Sequence, residues 1–132
     1  MPTDTCGLAK LTTTALAGTL AFVLGFAAPA LADIKIGATL SETGPASFLG
    51  DPEAKTLKML VDALNAAGGI NGEKIEFVIY DDGGDPNKAR TCAARLVEDD
   101  EVVAIIGGTT TGTTMAIMPV AEDAEIPFIS LA

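Results

Sequence analysis

Val102-Val103-Ala104-Ile105-Ile106-Gly107-Gly108-Thr109-Thr110-Thr111-Gly112-Thr113-Thr114 (VVAIIGGTTTGTT) is the stretch that decides the fold. Val102 to Ile106 is apolar throughout, as a strand covered on both faces requires. Gly107 to Thr114 then reads as a Gly/Thr loop that opens a helix running to about Glu122. Upstream, Asp81 to Pro86 (DDGGDP) is a loop, with Asp85 placed as N-cap and Pro86 at the first helical position. The helix that follows runs to about Glu98, with Ala89, Cys92, Ala93, Leu96 and Val97 on its apolar side. Before that loop, Lys74 to Tyr80 (KIEFVIY) is rich in β-branched and aromatic residues and reads as a strand.

The same alternation extends to both ends. Ile34 to Leu40 (IKIGATL) is a first strand, and Ser41 to Pro45 (SETGP) is a loop. From about Pro52 to Ala67, Leu57, Leu60, Val61 and Leu64 recur at helical spacing. Gly68-Gly69 stops that helix, and Asn71-Gly72 makes a turn. Ile126 to Leu131 (IPFISL) is a fourth strand. The order βαβαβαβ predicts an α/β domain: an open parallel sheet with helices on both faces.

Residues 1–32 read differently. Lys10 is followed by an uncharged apolar run from Leu11 to Phe26, Pro29 breaks it, and Ala30-Leu31-Ala32 forms a small-x-small cleavage site. This is the pattern of a secretory signal peptide cut after Ala32. The apolar run is shorter than the roughly 20 residues of a membrane anchor. Cys6 precedes the run, so it is not placed as a lipoprotein cysteine. With no twin-Arg ahead of it, the general secretory route is expected. Residues 33–132 then form one domain.

Composition excludes several classes of function. The net charge of −10 belongs wholly to the exported part, since Asp4 and Lys10 cancel in the signal. Such a surface repels nucleic acid and anionic lipid. There is no histidine, which removes His-based triads and His-ligated metal sites. Cys6 leaves with the signal, so Cys92 stands alone without an intrachain disulfide, in a helix beside Ala93 and Leu96. No cofactor and no metal are expected, and nothing supports an enzyme.

Ligands of open α/β sheets bind at the carboxyl ends of the strands. Three loops arrive there: SETGPASFLG, DDGGDP and GGTTTGTT. In the third, a helix N-terminus offers free N–H groups and a positive dipole end, and the Thr hydroxyls add donors. Gly107-x4-Gly112 has phosphate-loop spacing, but Thr113 stands where that motif needs Lys. A carboxylate suits the loop better, and a solvated Thr-rich cap is the alternative. Phe48 and Leu49 either line a pocket or pack under the first helix. DDGGDP reads as a turn with a helix cap, because its spacing is not that of an EF-hand. Glu98 to Glu101 reads as a solvated turn.

IKIGATLSETGP, LNAAGGINGEKIEFVIYDDGGDP, ARTCAARLVEDDEVVAIIGGTTTGTTMA and IPFISLA together cover nearly all of Ile34 to Ala132. In this order, after a signal peptide, they resemble the periplasmic solute-binding proteins of ABC importers. The likeness is to the branched-chain amino-acid (Leu/Ile/Val-binding) group with the type I periplasmic binding fold. The resemblance implies two lobes closing on a ligand, of which residues 33–132 would form a partial N-terminal lobe. It places the family's ligand-binding hydroxyl on Thr111, with Thr109, Thr110 and Thr113 as neighbours. It places a backbone contact on Ala132 and a large apolar contact on Leu49, with Phe48 beside it. The disulfide of some relatives falls on Gly84 and Thr110, so it is absent here.

The implied function is capture of a branched-chain or related amino acid in the periplasm by a monomer. Delivery to a membrane permease of an ABC importer would follow, with no nucleic acid involved. An aromatic carboxylate comes second as ligand, because SETGPASFLGDPE resembles members that take them. The second class is a ligand-sensing receptor ectodomain. The family's greater length implies a truncated chain that binds weakly or not at all alone.

Overall fold

The computed structural model describes residues 33–132. The signal peptide assigned to residues 1–32 lies outside the described residues. The elements are β1 (Ile34–Leu40), α1 (Ser47–Ala66), β2 (Ile75–Asp81), α2 (Pro86–Glu98), β3 (Ala104–Gly107), α3 (Thr111–Asp123) and β4 (Phe128–Ser130). All strand pairs are parallel, in the order β2-β1-β3-β4. The α/β class and the open parallel sheet are as the alternating pattern implies.

Alternation along the strands sorts side chains between two cores. Ala38 and Leu40 of β1 pack with Ala54 of α1, joined by Leu57, Phe77 and Ile79. On the opposite face, Ile105 packs with Ala89, Ala93 and Leu96 of α2, Ile117 of α3 and Val102. Gly37 points to that second face, where an added Cβ would press on the Leu96 side chain. Helices thus cover both faces, α1 on one and α2 with α3 on the other.

Several boundaries differ from the sequence expectation. Helix α1 begins at Ser47 rather than Pro52. The Ser47 N–H donates to Gly44 O and the Leu49 and Gly50 N–H groups to Ala46 O, so the turn runs straight into helix. Phe48 and Leu49 are therefore helical rather than loop residues. The Leu57, Leu60, Val61 and Leu64 stripe is only partly used: Leu57 and Val61 are half-buried, while Leu60 and Leu64 are exposed. The small residues Gly50 and Ala54 form the buried contact instead.

The third strand starts at Ala104 rather than Val102, because Glu101 turns the chain with φ 55°. Val102 is buried there and Val103 is exposed. The fourth strand is shorter than Ile126 to Leu131, running Phe128–Ser130. Helix α3 begins at Thr111, three residues before the expected end of the Gly/Thr loop at Thr114. Asp85 and Pro86 hold their expected places: Asp85 Oδ1 accepts from Asn87 N at 2.7 Å and Lys88 N at 3.2 Å. Among the described residues no helix is long and apolar enough to cross a membrane.

Candidate functional site

The parallel sheet brings the ends of all four strands to one edge, and hydrogen bonds lock the loops there together. Asp82, wholly buried after β2, is the hub. Its Oδ2 accepts from Thr39 Oγ1 at 2.9 Å, and its Oδ1 accepts from Ser41 Oγ at 2.7 Å and Gly84 N at 2.8 Å. Next to it, Asp81 accepts from the Thr43 hydroxyl, from Thr43 N at 3.1 Å and from Gly83 N at 2.9 Å. Burial alone would push the Asp81 carboxyl up; the bonds from Thr43 and Gly83, with Lys88 nearby, outweigh it and hold the carboxyl below its ordinary value. All three carboxylates of DDGGDP are thus engaged, Asp81 and Asp82 by β1 and the loop after it as well as by their own loop, and Asp85 by capping α2.

The Gly/Thr stretch divides by role. Gly108 takes φ 72°, and a Cβ there would collide with Thr114 Oγ1, so glycine lets the chain turn tightly into α3. Thr109 is buried: its Oγ1 accepts from Ser41 N at 3.0 Å and donates to Glu53 Oε2 at 2.7 Å. Thr110 is the N-cap of α3 and forms a capping box with Thr113, which is also buried. Thr111 is the first helical residue and is exposed, as is Gly112. Their N–H groups have no intrahelical acceptor, since they precede the first i→i−4 bond. Thr114 Oγ1 donates to Gly108 O at 3.0 Å and lies 3.0 Å from Ser130 Oγ. The Ala132 N–H donates to the same Ser130 Oγ at 3.1 Å. The chain after β4 is therefore tied to the first turn of α3, near Thr111.

Phe48 and Leu49 stand in the first turn of α1, 72% and 44% exposed. Neither serves as packing under the helix. A cavity of about 290 Å³ opens between α1 and the end of β4, lined by Pro52, Glu53, Thr56, Leu57 and Leu131. A groove of about 350 Å³ lies between the later turns of α2 and α3, lined among others by Arg90, Glu98 and Asp123, away from the loops. Cys92 is half-buried in α2, and burial pushes its thiol up. Three residues that sequence reasoning did not single out organise the edge: Thr39, Asp82 and Glu53. Only the position of Asp82, straight after a strand, hinted at this.

The arrangement gathers one exposed hydroxyl and two free N–H groups at a helix N-terminus, an apolar cavity, and exposed apolar side chains. That set suits non-covalent capture of a small anionic group with an apolar tail.

Comparison with known proteins agrees with this geometry. The model of the periplasmic binding protein family matches residues 33–132. The chain is 39% identical over 116 residues to the Leu/Ile/Val-binding protein homolog 7 of Brucella melitensis, covering 88% of this chain and 29% of that protein. It is 36% identical over 111 residues to an amino acid binding protein of Pseudomonas aeruginosa, covering 84% and 30%. Among solved structures, it is 38% identical to the branched-chain amino acid transporter substrate binding protein LivJ of Streptococcus pneumoniae, solved in complex with isoleucine. The TM-score is 0.73, with 74% of this chain and 28% of that one covered. The leucine binding protein LivK of Thermotoga maritima is 29% identical with TM-score 0.67, covering 74% and 27%. The chain spans less than a third of the length of these relatives. With the parallel sheet, the strand-end loops and these likenesses together, the chain belongs to the periplasmic binding protein family.

Proposed function

We propose that this chain captures a branched-chain amino acid in the periplasm, as a monomer, and hands it to the membrane permease of an ABC importer. Residues 33–132 contribute the N-terminal face of the pocket, and residues 1–32 are the signal removed on export. One observation carries the reading: Thr111 stands exposed at the first position of α3 with unfilled N–H groups beside it, at the carboxyl edge of the sheet. The relatives named Leu/Ile/Val-binding protein support the ligand class.

In this reading the ligand carboxylate meets the Thr111 hydroxyl and the Thr111 and Gly112 N–H groups. The backbone at Ala132 is a second contact. Thr109, Thr110 and Thr113 shape the turn that presents Thr111. Leu49 and Phe48 cover the apolar tail. No bond is made or broken, so the protein is a binder and not an enzyme.

The test is an amide NMR titration with leucine, valine, benzoate and isoamylamine. Leucine and valine should shift the Thr111 and Gly112 amides, benzoate less, and isoamylamine, which lacks the carboxylate, not at all. Equal shifts with isoamylamine and leucine, or no shift with either amino acid, would overturn the reading.

A further inference from the structure

Glu53 ties helix α1 to the loop that opens α3. Its Oε2 is 2.7 Å from Thr109 Oγ1, and that oxygen is 3.0 Å from Ser41 N. A hydroxyl carries one proton, an ionised carboxylate only accepts, and a backbone N–H only donates. Thr109 therefore gives its proton to Glu53 and turns a lone pair to the Ser41 N–H. The polarity of the relay is set by its Glu53 end.

The relay spans distant parts of the chain, with Glu53 and Thr109 56 positions apart and Ser41 and Thr109 68 apart. Ser41 and Thr109 are both buried, so a Ser41 N–H that lost its acceptor would have no water to replace it. Ser41 also donates its hydroxyl to Asp82, which joins the relay to the β2 loop. The ion pairs of the neighbouring α1 residues run elsewhere, Lys55 to Asp51 and Lys58 to Glu42. Thr109 lies two residues before Thr111 and one before the N-cap.

We propose that Glu53 is a positioning residue that, by accepting the Thr109 proton, holds Thr109 as acceptor for Ser41 N–H and so fixes the entrance of α3; its consequence for ligand rests on the binding reading above. Glu53 acts on the entrance of α3 through Thr109. What matters is an acceptor oxygen at this place, not the charge.

Two substitutions separate acceptance from charge and length. Glu53→Gln keeps one acceptor oxygen. Glu53→Met keeps the length and removes it. In amide hydrogen exchange on the whole chain, Ser41 should exchange about tenfold faster in Glu53→Met, relative to the core amide of Ile105, and about as in wild type in Glu53→Gln. The leucine-induced shift at Thr111 should fall in the Met variant and persist in the Gln variant. An unchanged Ser41 rate in Glu53→Met, or equal losses in both variants, would overturn the proposal. Should Glu53→Met not fold, Glu53→Ala carries the same comparison with Glu53→Gln: Gln must keep the Ser41 protection and Ala must lose it. Faster Ser41 exchange with an intact Thr111 response would overturn the positioning role and leave the binding reading standing. A wild-type chain deaf to leucine would overturn the binding reading, and the exchange rates alone would then decide the relay.

Discussion

The Ser41 hydroxyl donates to Asp82 Oδ1 across 2.7 Å, joining the loop after β1 to the loop after β2 inside the protein. Thr39 and Gly84 complete the shell of that carboxylate, and both Ser41 and Asp82 are wholly buried. Replacing Asp82 by Ala would strand two hydroxyls and one N–H. The loss should be about 3 kcal/mol of unfolding free energy, as for a buried acceptor with charge-assisted bonds. Asp82→Asn should cost less, about 1 kcal/mol, because the hydroxyls can rotate to accept from the new amide. Urea unfolding of the three proteins checks the order. An Ala variant as stable as wild type would show that the hub is dispensable.

Asp81 gives a pH signature. Its folded-state carboxyl lies below the ordinary value because the bonds from Thr43 and Gly83 outweigh burial. A depressed carboxylate adds stability that is fully present above its unfolded value and is lost as pH falls through its folded value. Wild type should therefore exceed Asp81→Asn in urea midpoint near neutral pH. The gap should close as pH drops below the ordinary carboxylate range. A gap that stays constant or widens on acidification would contradict the assignment.

The fold was legible because its signals are local. VVAIIGG, KIEFVIY and DDGGDP announce strand, strand and capped helix from neighbouring residues alone. The boundaries that shifted depend on contacts far along the chain. Pro52 suggested a helix start, but the turn bonds to Gly44 O and Ala46 O, and the close seat of Gly50 on Ser41, begin α1 at Ser47. The site was half legible in the same way. The loop-to-helix pattern marks the Gly/Thr stretch, and the resemblance alone singles out Thr111 within it. The neighbouring threonines look alike in sequence, yet Thr109 is spent on Ser41 and Glu53, and Thr110 and Thr113 on the capping box. That Thr109 turns inward rests on a carboxylate 56 positions upstream, which no local pattern reports.

Cys92 should behave as a packing residue. Burial raises its thiol, with Asp82 and Asp81 adding to the shift and Lys88 and Arg95 opposing it. Less thiolate is then present at neutral pH than on a free cysteine. Alkylation by iodoacetamide should run slower than for glutathione under the same conditions, and should approach the unfolded rate in urea. A native rate at or above that of glutathione would mark an activated thiol instead.

Gly50 and Gly112 are both helical glycines, and the same substitution should act on them in opposite directions. A Cβ on Gly50 would run into the backbone carbonyl of Ser41, which is held by β1 and cannot yield as a side chain does. Gly50→Ala should lower stability by about 1–3 kcal/mol from overpacking, despite the helix-propensity gain of up to about 1 kcal/mol. A Cβ on Gly112 meets only Pro86 Cγ at 3.4 Å, on an exposed turn. Gly112→Ala should leave stability unchanged or raise it by up to about 1 kcal/mol. Thermal unfolding of the pair distinguishes close approach from propensity. If both variants gained stability, α1 would not sit against Ser41 as described, and the first loop would not be held at the edge of the site.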